Sequence, residues 1–435
     1  LDAAAVTITG GATVAQINSL ASQTTGVITG TPTEGDMATL AGLTETTNAL
    51  SISVTDASVD ATALLALDAK TTGVVTVAGT TLTGTVADIT SAFTANTNGT
   101  IAGLTNINVT PDSGITMEQG NDLIALNGTG IVTATITDVQ DLTTLIAGGT
   151  GINAGDEAGH VFNVTVARQI SASDGVPLDT SINAANLNTL NDRTDGLITV
   201  TAPTLEGDRS DILTAFQQNS PDDANGDPDP NHADRTITGL QTAVINIDDE
   251  ITIAEARTID GYTSGLITGT IADGSIDTFL NQTVAGTYDL EAGNAWSMTF
   301  TDATYTATEL SNAISLTSGL LTVDDGDGAS TITGTLADVN TVYTSVSTTA
   351  PGITGIEDAP ITIQEPETFG GLVSAAALRT LDGNTTGTVN AATTTSLTGT
   401  FAEIVAAYAA DTAGTVIIDG DAKLTVSDNI TSTEA

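Results

Sequence analysis

The chain has no cysteine and very little positive charge. Without a thiol it can form neither a disulfide framework nor thiol chemistry, which suits a secreted protein that avoids disulfides. Eight Lys and Arg stand against 53 Asp and Glu, for a formal net charge of −45. Such a surface repels phosphate backbones, so a nucleic-acid partner is excluded. It repels anionic membrane surfaces as well. No run of about 18 apolar residues is present, so no segment reads as a membrane-spanning helix, and membrane insertion is not expected. The sequence opens at Leu1, with neither Met nor a signal peptide, as expected of a processed product or a piece of a longer chain. Aromatic residues make up only 3%. There are two histidines, His160 at the start of a strand and His232 in an acidic loop. Neither belongs to a Ser/His/Asp pattern, and the HExxH, Walker and GxSxG motifs are missing. No catalytic residue is expected.

What is present is repetition. The segment TTGVITGT at 24–31 returns as TTGVVTVAG from Thr71, TGIVTATIT from Thr129 and DGLITVTAP from Asp195. It returns again as TSGLITGTIAD from Thr263, TSGLLTV from Thr317 and TTGTVNA from Thr385. Before each copy stands a short strand with period-two alternation, such as LSISV at Leu50, FNVTV at Phe162 or WSMTF at Trp296. A helical stretch intervenes: Val14, Ile17 and Leu20 share one face, as do Leu64, Leu65 and Leu67. Gly26 and Gly73 fit a helix-ending or turn position that tolerates positive φ. A second half reads TGTVADITSAF at 83–93, TGTLADVNTVY at 333–343 and TGTFAEIVAAY at 398–408. There Asp88, Asp338 and Glu403 sit where a helix N-terminus favours a carboxylate. Phe93, Phe216, Phe279, Tyr343 and Tyr408 occupy equivalent places and read as core plugs.

The repeats divide the chain into units at 1–49, 50–105, 106–159, 160–242 with an acidic insertion, 243–294, 295–358 and 359–421, with an eighth unit starting at 422–435. Because a copy cannot bury its apolar face alone, stacked copies are expected to share one core. The expected fold class is therefore a repeat protein, β-rich with short helices, whose tandem β/α units form an elongated solenoid. The alternative is a string of small independent α+β domains.

The insertion PDDANGDPDPNHADR, 221–235, sets Asp223, Asn225, Asp227, Asp229, Asn231 and Asp234 at positions 1, 3, 5, 7, 9 and 12 of a calcium loop. Hard oxygen donors at alternate positions can wrap one Ca²⁺. The pattern departs from an EF-hand: Pro228 replaces the glycine of position 6, and Asp234 replaces the final Glu. VDDGDG at 323–328 offers Asp324, Asp325 and Asp327 as a second candidate cation site, or a simple glycine turn. So much like charge destabilises a compact chain unless cations screen or bridge it, so Ca²⁺ is the expected cofactor. Sequons at Asn98, Asn108, Asn127, Asn163, Asn281, Asn384 and Asn429 are about as many as chance gives in so Thr-rich a chain.

In its TTGxITGT and TGTxADI motifs the chain resembles the acidic, Thr/Gly-rich repeat regions of bacterial surface-layer proteins and giant secreted adhesins, notably those of marine bacteria and cyanobacteria. The resemblance implies an extracellular or cell-surface structural module of a fibre, surface layer or adhesin, stabilised by calcium. Its partners would be copies of itself, neighbouring repeats of a longer chain, or surface glycans. The alternatives are a glycan-binding module, which needs exposed aromatics, and a polysaccharide-active enzyme, which needs paired carboxylates across a cleft.

Overall fold

A computed structural model describes residues 2–152, 159–170, 177–178, 181–219, 236–280, 290, 293–324, 330–365 and 372–429. Its local plan is clearest around the second repeat. Strand Val75–Val77 lies parallel between Ile52–Val54 and Ile101–Ala102, and strand Thr81–Gly84 lies parallel between Ser58–Asp60 and Asn108–Pro111. Alternate residues Val75, Val77 and Leu82 are buried, as period-two patterning requires. The second strand runs directly into helix Val86–Asn98. Thr85 stays extended and its hydroxyl accepts from the Asp88 N–H at 3.1 Å, while donating to Asp88 Oδ2 at 2.8 Å. Ile89, Ala92 and Phe93 form the buried face, and Gly99, at φ 82°, ends the helix in the left-handed region. Thr335 with Asp338 and Thr400 with Glu403 begin their helices in the same way.

This architecture corrects the expected β-rich elongated solenoid. Fourteen helices occur among the described residues, up to 13 residues long. Apart from the short pair Gln169–Ile170 and Pro177–Leu178, the described strand pairings are parallel. Parallel neighbours cannot be joined by a hairpin and need a crossover, which the helices supply. The class is α/β. A string of small α+β domains is overturned by the same finding, and the chain packs into two compact units instead of one per repeat.

The first unit comprises Leu1–Pro203 and Thr214–Leu240; the second comprises Thr204–Leu213 and Gln241–Ala435. Within the second unit one parallel sheet runs in the order Thr204–Gly207, Val244–Ile251, Ile267–Gly274, Ala295–Phe300, Leu320–Val323, Gly352–Thr354. Another runs Thr304–Thr306, Thr331–Gly334, Ile361–Ile363, Val389–Ala391, Val416–Ile418. Trp296, Phe300 and Tyr305 are fully buried in this unit, and Phe279 meets Phe300 edge-on at 5.7 Å. No described helix is long and apolar enough to cross a membrane.

The repeated Thr-x-Gly turn has one structural meaning. The Thr71 hydroxyl accepts from the N–H of Leu50 at 2.8 Å and of Gly73 at 2.9 Å, and donates to the Leu50 carbonyl at 2.8 Å. Thr24, Thr194, Thr263, Thr317 and Thr385 likewise accept from the glycine two residues on. They donate to the carbonyls of Ala4, Phe162, Ala243, Trp296 and Glu357 on the preceding segment. A Cβ at Gly73 would fall on the Leu50 carbonyl. Gly26 and Gly73 are not among the residues at positive φ, which corrects the turn geometry expected for them. It is the closeness of the neighbouring strand, not a left-handed backbone, that requires glycine there.

Candidate functional site

A polar depression lies in the second unit, where strands hand over to helices. Strand Thr304–Thr306 leads into helix Ala307–Leu316 through a reciprocal cap. Glu309 Oε2 accepts from the Thr306 N–H at 2.8 Å, and the Thr306 hydroxyl accepts from the Glu309 N–H at 3.2 Å. Just before the strand, Asp302 reaches back so that its Oδ2 accepts from the Ile276 N–H at 2.7 Å, at the start of helix Ile276–Leu280. A cavity of about 310 Å³ opens between them, lined by Asp277, Asp302, Thr304, Thr306, Glu309 and Thr333, with Tyr305 beneath. The Tyr305 hydroxyl lies near the Asp302 main chain and the Ser330 hydroxyl without completing a hydrogen bond to either, and burial pushes its pKa up to about 12. Carboxylates and hydroxyls with no cation in the wall suit a hydrated cation or a polyol. Asp302 and Glu309, however, already spend lone pairs on helix N–H groups.

That commitment recurs along the chain. Glu34 accepts from the Val14 N–H at 3.1 Å, Asp56 from Met37 at 2.8 Å, and Asp138 from Met117 at 2.9 Å. Asp249 accepts from Arg209 at 2.7 Å, Glu365 from Leu336 at 2.8 Å and Asp428 from Phe401 at 2.8 Å. Each acid lies on the segment after the helix whose first N–H it holds, so it ties one element to the next. A carboxylate at that point satisfies an orphan donor and meets the positive end of the helix dipole. Sequence reasoning missed these clips and assigned the acids to solvent or cations. A signal was present: SVTD at 53–56, TITD at 135–138, TFTD at 299–302, TIQE at 362–365 and TVSD at 425–428 all put an acid two residues past the last apolar residue of a strand. The separation from helix to acid varies from 19 to 40 residues, which hides the pairing.

Other residues singled out from sequence are accounted for individually. Asp88, Asp338 and Glu403 lie in first helical turns, as the sequence indicated, with the preceding threonine as the actual cap. Phe93, Phe216, Phe279 and Tyr343 are buried and Tyr408 is half-buried. The Tyr343 hydroxyl donates to the Ile356 carbonyl at 2.6 Å, and burial raises its pKa to about 12. His160 is a core residue whose Nδ1 accepts from the Val132 N–H at 3.0 Å.

Asp223, Asn225, Asp227, Asp229, Asn231, His232 and Asp234 lie outside the described residues, as do Asp325 and Asp327. Asp324 is exposed beside strand Leu320–Val323, and its N–H donates to the Phe300 carbonyl at 2.9 Å. Among the described residues no group of three or more His, Asp or Glu is placed to hold a metal ion.

Two of the basic residues serve local ends. The Lys70 ammonium donates to the Ala41 and Leu43 carbonyls at 2.6 Å, past the end of helix Met37–Leu40. Arg209 pairs with Glu255 at 2.6 Å. The Glu255 carboxyl is held below its usual range, first by the Thr252 N–H and also by Arg209. On strand Val244–Ile251, burial and then the charges of Glu206, Asp208 and Asp249 push the Asp248 carboxyl up.

No protein-family model, no curated protein and no solved structure matches the chain.

Proposed function

We propose that the chain is a structural repeat module of an extracellular fibre, surface layer or adhesin, stabilised by calcium at its acidic insertion. The observation that carries this reading is the clamp made by Thr24, Thr71, Thr194, Thr263, Thr317 and Thr385. The residues that the sequence repeats most faithfully are the ones that fasten each segment to the one before it. A chain whose recurrent motif is a fastening device is built to be extended by copies, and a scaffold needs that where an active site does not. The acid clips at helix starts support the same reading, because they use carboxylates for construction. Calcium is supported by the spacing of Asp223, Asn225, Asp227, Asp229 and Asp234.

The test is surface labelling of intact cells of the source organism with a membrane-impermeant amine or carboxylate reagent, followed by identification of the tagged chain. Recovery of labelled peptides from this chain is expected. A chain labelled only after lysis, and found only with cytoplasmic proteins, refutes the reading.

A further inference from the structure

The sequons of this chain are chemically alike but structurally unalike. Asn127 is fully buried, and its Nδ2 donates to the Gly130 carbonyl at 2.7 Å. Asn108 Oδ1 accepts from the Ile131 N–H at 3.0 Å and Asn163 Oδ1 from the Leu197 N–H at 2.8 Å. The buried Asn127 amide spends its nitrogen on that bond, so a substituent there would cost a structural hydrogen bond and would not fit, whereas Asn108 and Asn163 bond through the amide oxygen, which a substituent on nitrogen leaves in place. Asn127 also ends its helix, Met117–Asn127, but Asn98 and Asn384 differ from it in exposure. Each is exposed, and each is the last residue of its helix, Val86–Asn98 and Ala375–Asn384. Their sequon threonines, Thr100 and Thr386, are exposed too.

We propose that Asn98 and Asn384 are acceptor sites for N-linked glycan and that Asn127 is not. In the transfer, the amide nitrogen displaces a polyprenyl pyrophosphate from C1 of a lipid-linked oligosaccharide. The N–C1 bond forms as the C1–O bond breaks, the amide loses one proton to a base, and the pyrophosphate leaves with the bonding pair. A glycan at a helix end points into solvent and displaces no core contact, so the folded chain accepts it without loss of packing. The inference rests on the extracellular reading above, since such donors are used on exported chains.

The test is in-vitro transfer to the folded chain, using an oligosaccharyltransferase and a lipid-linked oligosaccharide, with glycopeptides read by mass spectrometry. Asn98 and Asn384 should be occupied, and the variants Asn98→Gln and Asn384→Gln should each lose one glycan. Asn127 should stay unmodified until the chain is denatured, whereupon it becomes a substrate. An unmodified Asn98 or Asn384 in the folded chain, or occupancy of Asn127 there, overturns the proposal. Because the readout uses purified protein, transfer can succeed while surface labelling fails. That outcome would refute the cellular location and leave the acceptor sites standing.

Discussion

Replacing Thr71 by Val removes one oxygen and nearly nothing else, because the two side chains have almost the same shape. Thr71 is 8% exposed, and its hydroxyl accepts from the Leu50 and Gly73 N–H groups and faces the Leu50 and Asn48 carbonyls at 2.8 and 3.1 Å. Val leaves the Leu50 and Gly73 N–H groups without an acceptor in a dry site. Each orphaned buried group costs about 1–3 kcal/mol, so the substitution should cost about 2–5 kcal/mol. In a unit of this size each kcal/mol moves the melting midpoint by about 2–4 °C, so the first unit should melt roughly 5–20 °C lower. The neighbouring Thr72→Val is the control: its hydroxyl makes a single 3.3 Å contact with the Asn48 carbonyl, and the change should cost less than about 1 kcal/mol. Thr71→Ser keeps the hydroxyl and should recover most of the loss. Calorimetry of the three variants, with amide exchange at Leu50 and Gly73, reads the effect directly. If Thr71→Val and Thr72→Val melt alike, the hydroxyl clamp does not fasten the strands, and the structural basis of the proposed function goes with it.

Gly73→Ala should be more disruptive than Thr71→Val, because its Cβ meets backbone that cannot move aside, whereas Gly10→Ala has open space and should be neutral or slightly stabilising by melting midpoint. Tyr343 is held neutral by burial, with a folded pKa of about 12. An unfolded phenol ionises from about pH 10, so its contribution is intact below that pH and is lost as pH rises through the folded value. Ultraviolet titration should therefore show phenols ionising late and together with unfolding, and Tyr343→Phe should reduce the alkaline loss of stability measured by denaturant melts. Calcium should raise the melting midpoint further than NaCl at matched ionic strength, by up to about 2.7 kcal/mol at a hundredfold excess over Kd. Replacing Asp223, Asp227 and Asp229 with Asn should abolish that difference, and an unchanged melt on adding EDTA would refute bound calcium.

The period-two strands, the capped helices and the order of repeats are set by local chemistry, so they are legible without coordinates. Thr85, Asp88, Ile89 and Phe93 announce a helix start and its buried face because caps and periodicity act within one turn. The aromatic plugs are legible for the same reason, since they continue an apolar helix face four residues on, Ile89 to Phe93 and Val339 to Tyr343. Fold class was not legible in this way. Short β-branched strands look the same whether a turn or a helix connects them, and the Thr-rich helices are weak by propensity, held by caps and packing. Only the paired register, Ile52 to Val75 to Ile101, shows that the strands are parallel and that helices must carry the return. The roles of Gly73, Asp302 and Asn127 likewise depend on a neighbour 20 or more residues away or on burial, neither of which a local pattern encodes. The sequence by itself determined which residues recur. Tertiary structure decided what they touch, because a hydrogen bond between segments exists only once both have been brought together.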